Sequence, residues 1–407
     1  MPEPRSERWI EAAEAAERLG VKPATLYSYV SRGVLRRRAA ADGRRSLFDA
    51  EQVAELARRG RPRRPPAPSE LVIDTALTAL GPDRHYYRGR SAVDLAVERT
   101  FEEVAAFLWT GAFDPGPDWA APGAARDAAA AALPPGALPL DRLQLAAVAL
   151  GVADPLRFRL DADAVTGAGR ALIAGMVEAL PPLGPPAGPG IAGRLWGRLC
   201  PEPDERGLLP ALNAALVLLA DHELAASTLA ARTAASVRAD PYAVVAAGLG
   251  VLGGPLHGGA SYAAERLLAE VGGDPGRAAP ALAARLRAGE RVPGFGHAVY
   301  RDGDARGACL LDLVRAAAPG DARLLAADAV LAEARRLKLP AANVDLALAV
   351  LGAVAGFTPG AGQAVFAVAR TAGWLAHALE EYAARTPLRP RARYVGPEPG
   401  PEPGTGG

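Results

Sequence analysis

Three of the five histidines in this 407-residue chain stand in short words bracketed by glycine or acid: Asp221-His222-Glu223, Gly254-Pro255-Leu256-His257-Gly258-Gly259 and Pro293-Gly294-Phe295-Gly296-His297. A fourth word, Asn343-Val344-Asp345, sets a single carboxylate in an apolar run. A neutral imidazole donates one hydrogen bond and accepts another, and a carboxylate in apolar surroundings is a candidate base. The four words together read as one active site, in which Asp345 adds a base that could work with neutral imidazoles. The bland alternative for Asp345 is a helix cap after Asn343. His85 and His377 lack such flanks and read as buried structural residues.

The elements that must hold these words are helices. Apolar residues recur at helical spacing over 208–238, 260–271 and 343–355, with few alternating β-branched runs, so the body is expected to be all-α. Aromatics are only 5% of the chain, and Ala, Leu and Val dominate, which favours close helix approach. Gly248-Leu249-Gly250-Val251-Leu252-Gly253 fits a dinucleotide fingerprint in spelling, yet no strand-helix-strand unit surrounds it, and we reject that reading.

Length implies two or three domains. The proline-rich segment 61–68 cannot continue a helix and reads as a stiff linker, with further breaks at 113–140 and 181–190. The Pro/Gly stretch 396–407 is expected to be disordered. Residues 1–65 hold 15 basic and 9 acidic side chains, a local +6, whereas the whole chain is only +1 and the remainder therefore −5. The molecule as a whole is thus no electrostatic nucleic-acid binder, but its first segment is a basic module. Cys200 and Cys309 are far apart and lack metal-ligand spacing, so neither a disulfide framework nor a metal site is expected. With no apolar leader and no uninterrupted apolar run, the expectation is a cytoplasmic protein without a membrane partner.

In the basic module, 10–19 reads as a helix, 20–22 as a turn and 23–30 as a second helix opened by Pro23 and ended by Gly33. A strand-turn-strand wing follows over 35–48 around Asp42-Gly43-Arg44-Arg45, and Asp49 with Gln52 opens a third helix as a capping box. Through Ala15-Ala16-Glu17-Arg18-Leu19-Gly20-Val21 and Thr25-Leu26-Tyr27-Ser28-Tyr29-Val30-Ser31-Arg32-Gly33 the segment resembles the winged helix-turn-helix of the MerR type. The resemblance implies that the start of the second helix faces a major groove while Arg36, Arg37, Arg38, Arg44 and Arg45 meet phosphates of DNA. A protein-contact role, or a solvated basic face, is the other reading.

The body resembles the citrate synthases. The words that carry this are Tyr87-Arg88-Gly89, Phe101-Glu102-Glu103-Val104-Ala105, Asp221 to Thr228, Gly254 to Ala260, Gly294 to Arg301, Asn343-Val344-Asp345, Phe366 to Arg370 with Gly373-Trp374, and Arg389-Pro390-Arg391, in family order. The resemblance implies that Asp345 is the base, His257 donates to a thioester oxygen and His297 to the oxo group of oxaloacetate. It further implies that His222, Arg306 and Arg370 grip the oxaloacetate carboxylates, and that Arg389 reaches in from the second subunit of a homodimer. Val292, Pro293, Gly294, Phe295 and Gly296 would receive coenzyme A, with Arg301 at a phosphate. The acyl-CoA thioester is then a substrate, with no metal and no tightly bound cofactor.

The expected organisation is a winged helix-turn-helix over 1–60, a linker over 61–70, a large domain over 71–257 and 351–396, a small domain over 258–350, and a tail over 397–407. Two departures from the family stand out. Leu346-Ala347-Leu348-Ala349 follows the base where more polar residues are common, and Ser261-Tyr262 follows Gly259-Ala260 where Asn or Glu is common. The expected activity is condensation of acetyl-CoA with oxaloacetate to citrate. The alternatives are a 2-methylcitrate synthase using propionyl-CoA, and a DNA-binding metabolite sensor with an impaired catalytic body.

Overall fold

The structure is a computed structural model that describes residues 9–58 and 72–391, apart from positions 20, 22, 32–33, 41–44, 118, 121–122, 124–126, 128–130, 132, 135, 302 and 385, together with 395 and 396. The expected linker at 61–70, the turn glycine Gly20, the helix stop Gly33, most of the wing tip including Arg44, and the tail at 397–407 lie outside the described residues. The chain divides into two compact units, one up to Ile73 and one from Asp74 onward.

The first unit contains β1 (Trp9–Glu11), α1 (Ala12–Leu19), α2 (Pro23–Ser31), β2 (Arg37–Ala39), β3 (Ser46–Asp49) and α3 (Ala50–Arg58). Its three strands form an antiparallel sheet in the order β1-β3-β2. Residues 10 and 11, expected in the first helix, instead pair with β3, placing buried Ile10 opposite buried Phe48. Three residues are too few to show strand alternation in a sequence. Asp49 accepts from the Glu51 and Gln52 amides at 3.0 and 3.3 Å and so caps α3. The reciprocal half of the expected capping box is absent, because Gln52 Oε1 accepts from the Arg36 amide at 2.7 Å and staples the wing instead. β2 is exposed throughout. Its Arg38 guanidinium lies 4.5 Å from the Trp9 ring centroid, and Arg37 lies 5.7 Å from that of Tyr27.

Among its described residues the second unit is helical with one small antiparallel sheet, β4 (Thr78–Leu80), β5 (His85–Tyr87) and β6 (Arg90–Ser91), which the helical period of the sequence did not foresee. The helices follow as α4 (Ala92–Glu98), α5 (Phe101–Thr110), α6 (Pro139–Ala153), α7 (Ala162–Ala179), α8 (Ile191–Leu199), α9 (Leu209–Leu219) and α10 (Ala226–Ser236). They continue as α11 (Pro241–Leu252), α12 (Gly259–Val271), α13 (Ala278–Arg287), α14 (Ala305–Ala317), α15 (Ala322–Arg336), α16 (Val344–Ala355) and α17 (Ala361–Ala384). Where 208–238 carried one helical period, the chain breaks after α9 and restarts at α10, and Asp221-His222-Glu223 forms the turn between them.

Helix α17 is the axis of the body. It is buried on every side from Ala361 to Ala378, the pattern of a helix with no solvent face. It packs against α5, α6, α7, α9, α10, α11, α12 and α16. Small residues permit this crowding. A Cβ on Gly373 would lie 2.4 Å from the Ala220 carbonyl oxygen, whose hydrogen bond with the Gly373 amide is 3.0 Å long. Gly248 and Gly250 lie inside α11, and a Cβ on Gly248 would meet the Trp374 ring at 2.6 Å, so the rejected fingerprint is helix-packing sequence. A second group of helices forms around α16, against which α12, α14 and α15 pack.

Candidate active site

The words bearing His222, His257 and Asp345 sit at helix ends, His297 lies in the loop before α14, and Arg370 lies within α17. Asp221, His222 and Glu223 leave the end of α9, with Glu223 in a left-handed conformation at φ 54°. His257 lies in the turn before α12, its amide bonded to the Gly254 carbonyl at 2.9 Å. His297 follows a loop in which Gly294 and Gly296 adopt φ values of 84° and 86°, a region that favours glycine. That loop is tied to the segment entering α16. The Asn343 amide donates to the Gly294 carbonyl at 3.0 Å, and Asn343 Nδ2 donates to the Gly296 carbonyl at 2.9 Å. Asn343 Oδ1 also accepts from the Asp345 and Leu346 amides, capping α16 and fixing Asp345 in its first turn.

The structure brings His222, His257, His297, Arg306, Asp345 and Arg370 into one electrostatic neighbourhood. The His222 and His297 ring centroids are 5.4 Å apart, and His222 Nε2 lies 2.8 Å from the Tyr300 hydroxyl. His257 Nε2 lies 2.7 Å from the hydroxyl of fully buried Ser227. All three imidazoles are neutral at physiological pH. Burial and then Arg306 hold His222 well below its usual range. Burial and then Arg370 bring His257 down to about 4, and burial and then Arg306 bring His297 down to about 4.

His297 Nδ1 accepts from the amides of Val299 and Tyr300 at 3.0 and 3.2 Å, which places the proton of the neutral ring on Nε2. Arg306 Nη2, always a donor, approaches that same Nε2 at 3.2 Å. Two donors therefore converge where an acceptor such as a carboxylate or oxo oxygen completes the geometry.

The two buried arginines differ in their state of pairing. Arg306 is clamped by Asp304, its Nε on Oδ1 and Nη2 on Oδ2, both at 2.9 Å. Asp304 Oδ2 also accepts from the Val344 amide at 3.0 Å, locking the start of α14 to that of α16. Arg370, on α17, has one hydrogen bond among the described residues, from Nε to the Leu219 carbonyl at 2.8 Å. Its Nη1 and Nη2 are unpaired there, it is only 1% exposed, and burial lowers its pKa to about 10. A desolvated guanidinium with two idle nitrogens calls for a planar anion.

Asp345 is the buried carboxylate of α16; the carboxylate that acts most strongly on Arg370 is Asp221. Asp345 Oδ1 accepts from Ser261 Oγ at 2.5 Å. Burial raises its pKa, and the Ser261 hydroxyl and Arg306 oppose the rise. A carboxylate near neutral imidazole donors and a guanidinium whose Nη1 and Nη2 have no hydrogen bond among the described residues can remove a proton while the charge that develops is hydrogen-bonded.

Other expected residues lie apart. Arg389 and Arg301 are exposed, and neither makes a hydrogen bond or ion pair with a site residue among those described. Val292 and Gly294 are buried, whereas Pro293, Phe295 and Gly296 are half-buried along the loop. His377, read as structural, is in a buried network with Asp221, Glu380 and Arg232. His85, also read as structural, is fully buried against His222 with centroids 5.5 Å apart, and its Nε2 meets the Tyr87 hydroxyl at 2.9 Å. Ser227, Ser261, Tyr300 and Asp304 escaped the sequence reading as functional residues. Asp304 was detectable as the acid two positions before Arg306; the others had no signal beyond their place in the quoted words. Among the described residues no cluster of His, Cys, Asp and Glu could hold a metal ion, and no helix is long and apolar enough to cross a membrane.

A helical body gathers neutral imidazoles and a buried carboxylate at its helix ends around the buried Arg370 of α17, and comparison shows the family to which it belongs. The profile of the citrate synthase C-terminal domain matches residues 69–391, and that of a helix-turn-helix domain matches residues 9–61. The chain belongs to the citrate synthase family. It is 31% identical to a 2-methylcitrate synthase of Mycobacterium tuberculosis, over 82% of this chain and 91% of that one. It is 37% identical to citrate synthase 2 of Bacillus subtilis, over 54% of this chain and 60% of that one. It is similar to the citrate synthase of Thermoplasma acidophilum in ternary complex with carboxymethyl coenzyme A and oxaloacetate, with TM-score 0.69, 25% identity, and coverage of 81% of this chain and 95% of that one. Similarity to the Thermotoga maritima citrate synthase has TM-score 0.67 and 26% identity, with the same coverage.

The histidines predict an acid response. His257 and His297 are held near 4 in the fold against an ordinary 6.5, so the unfolded chain binds their protons first. Their contribution to stability is complete above pH 6.5 and is lost as pH falls through the folded value of about 4. Urea unfolding measured from pH 7 to 4 is expected to show this loss, and His297→Asn to flatten it. An unchanged slope in the variant would mean that His297 is not held neutral.

Proposed function

We propose that the body joins an acyl-CoA to oxaloacetate and hydrolyses the resulting citryl thioester to citrate and coenzyme A. The observation that carries this reading is Arg370, buried with no hydrogen bond to Nη1 or Nη2 among the described residues, in the field of neutral His222 and His257. One oxaloacetate carboxylate is assigned to Arg370 and the other to Arg306, with His222 as a further donor. His297 Nε2–H is assigned to the oxo oxygen, where an alkoxide forms. If Ser227 donates to His257 Nε2, the ring proton is on Nδ1 and can meet the thioester oxygen as Asp345 takes the neighbouring C–H proton. The loop from Val292 to Gly296, with Arg301, is assigned to coenzyme A. Residues 258–350 form the part that closes over both substrates and excludes water from the enol.

Acetyl-CoA is the first assignment and propionyl-CoA the second, because one methylene changes binding by only about 1 to 3 kcal/mol. Arg389, exposed in its own chain, is assigned to the site of a second copy, which makes the active unit a homodimer. The cytoplasm is the assigned compartment, in keeping with the free thiols of Cys200 and Cys309.

A second reading adds sensing. A polar chain runs from the surface where the second unit starts into its interior: Thr75 Oγ and the Ala76 amide donate to Glu380, and buried Arg232 donates to Glu380, to Glu381 and to the Asp74 carbonyl. His377 joins Arg232 to Asp221, which also accepts from Thr78 and precedes His222. The helix-turn-helix match over residues 9–61 and the exposed Arg37 and Arg38 favour a module that binds DNA at its phosphates, with site occupancy in the body as the signal it would sense.

Thiol release from acetyl-CoA and propionyl-CoA with oxaloacetate tests the enzyme, and absence of release with both would sink it. Asp345→Asn is expected to lose roughly 100-fold to 10,000-fold in turnover while calorimetry shows retained oxaloacetate binding. For Arg389, a tagged mixed dimer of Asp345→Asn and Arg389→Ala chains is expected to regain activity that each single-variant dimer lacks; a dead mixed dimer would keep Arg389 out of the neighbouring site. Anisotropy with genomic DNA fragments is expected to show binding that weakens steeply with salt and shifts with oxaloacetate. No binding at low salt by the full-length protein would rule out the DNA contact.

A further inference from the structure

We propose that Ser261 is a positioning residue for Asp345: its hydroxyl holds Oδ1, keeps the buried carboxylate ionised, and leaves Oδ2 as the atom that takes the substrate proton. The inference rests on the reading of Asp345 as the base.

Ser261 lies in the first turn of α12 and is fully buried. Its Oγ is 2.5 Å from Asp345 Oδ1, and this is the one hydrogen bond that the Ser261 side chain makes among the described residues. Because a hydroxyl has one proton, that proton is committed to the carboxylate. Asp345 Oδ2 has no hydrogen bond from any described residue, so the two oxygens are inequivalent.

The wall around this contact is tight. A Cβ on Gly362 would lie 3.3 Å from Ser261 Cβ and 3.8 Å from Leu348 Cβ. After Asp345, α16 supplies only buried apolar neighbours, Leu346, Ala347, Leu348 and Ala349. The polar support that α16 does not offer its own carboxylate thus comes across the interface from α12.

The charged groups around Asp345 do not replace it. Arg306 and Asp304 at the start of α14 face it but are spent largely on each other, and Arg370 comes from α17. On α12, Glu265 is one turn beyond Ser261 and accepts from the Gly360 and Gly362 amides, both at 2.7 Å. From α15, Arg323 donates to the Ala353 carbonyl, Asp328 pairs with Arg315, Glu333 pairs with Arg336, and Arg335 donates to the Leu331 carbonyl. Helix α9 has no ionisable side chain. Burial drives the Asp345 carboxyl upward, and the Ser261 bond is the largest influence pulling it back.

A hydroxyl suits this task because it orders and stabilises the anion without adding a full positive charge. A cation in its place would depress the carboxylate's basicity further.

The test compares Ser261→Ala and Ser261→Thr with the native protein. In Ser261→Ala the acid limb of kcat/KM is expected to move up by about one pH unit, with a roughly tenfold lower rate on that limb and unchanged affinity for oxaloacetate. Ser261→Thr keeps the hydroxyl and is expected to restore the native limb. Should the alanine protein fail to fold by circular dichroism, Ser261→Cys, close in size with a weaker donor, is expected to show the same displacement in smaller degree. Difference infrared titration of the Asp345 carboxyl, isolated by subtraction of Asp345→Asn spectra, reads the same shift independently of turnover. An unmoved carboxyl titration and acid limb in the variants overturn the role of Ser261 alone. Normal turnover by Asp345→Asn overturns the reading of the base, whatever the Ser261 variants do.

Discussion

The body depends on keeping charge ionised inside an interior built from Ala, Leu and Val. A charge taken out of water costs several kcal/mol unless partners replace the lost solvation. Each buried ionic group meets that constraint in its own way. Arg306 is held bidentately by Asp304, and Arg232 is held by Glu380 and Glu381. Asp221 is opposed by burial but brought down to about 2 by His377, Arg370 and Thr78. Arg370 is the exception, because among the described residues its Nη1 and Nη2 have no hydrogen bond. The imidazoles solve the same problem by losing their charge, which leaves them as neutral hydrogen-bonding groups.

Helix ends make this arrangement possible. A turn at the end of a helix exposes backbone groups and lets side chains leave the packed stripe. Asp221 and His222 follow α9, His257 precedes α12, Asp304 caps α14, and Asn343 caps α16. Helix α17 passes through the middle and relates these ends to one another. Its Gly373 admits the Ala220 carbonyl at close range, while its Arg370 and His377 face the Asp221 turn from either side of that contact. A larger residue at Gly373 would displace the backbone that carries His222.

The glycine loop and the base also form one mechanical piece. Asn343 joins Gly294 and Gly296 to the cap of α16, and a Cβ on Gly294 would clash with Leu346 Cβ at 2.8 Å. Leu346, the first residue of the apolar stretch after Asp345, is therefore a packing partner of the loop. Ser261 meets Asp345 from the opposite helix. The two departures from the family pattern are thus structurally adjacent.

The sequence determined the helical class, the separate basic module and the words from which the site is made. Helical period, proline breaks and residue chemistry are local properties, so the turns bearing His257 and His297 and the helix opening near Asp345 were legible along the chain, whereas the turn bearing His222 was hidden inside one helical period over 208–238. The strand at Trp9–Glu11 and the small sheet from Thr78 to Ser91 were not, because two- to four-residue strands owe their existence to the partner they pair with. The tertiary structure alone decided which polar groups meet. Ser227 reaches His257 across 30 residues, Tyr300 reaches His222 across 78, and Ser261 reaches Asp345 across 84. His85 looked like an ordinary core histidine and is one by burial, yet it packs on His222. A residue's type gives the chemistry it can perform, but only the fold's long-range contacts fix its protonation, its partner and the direction in which it acts.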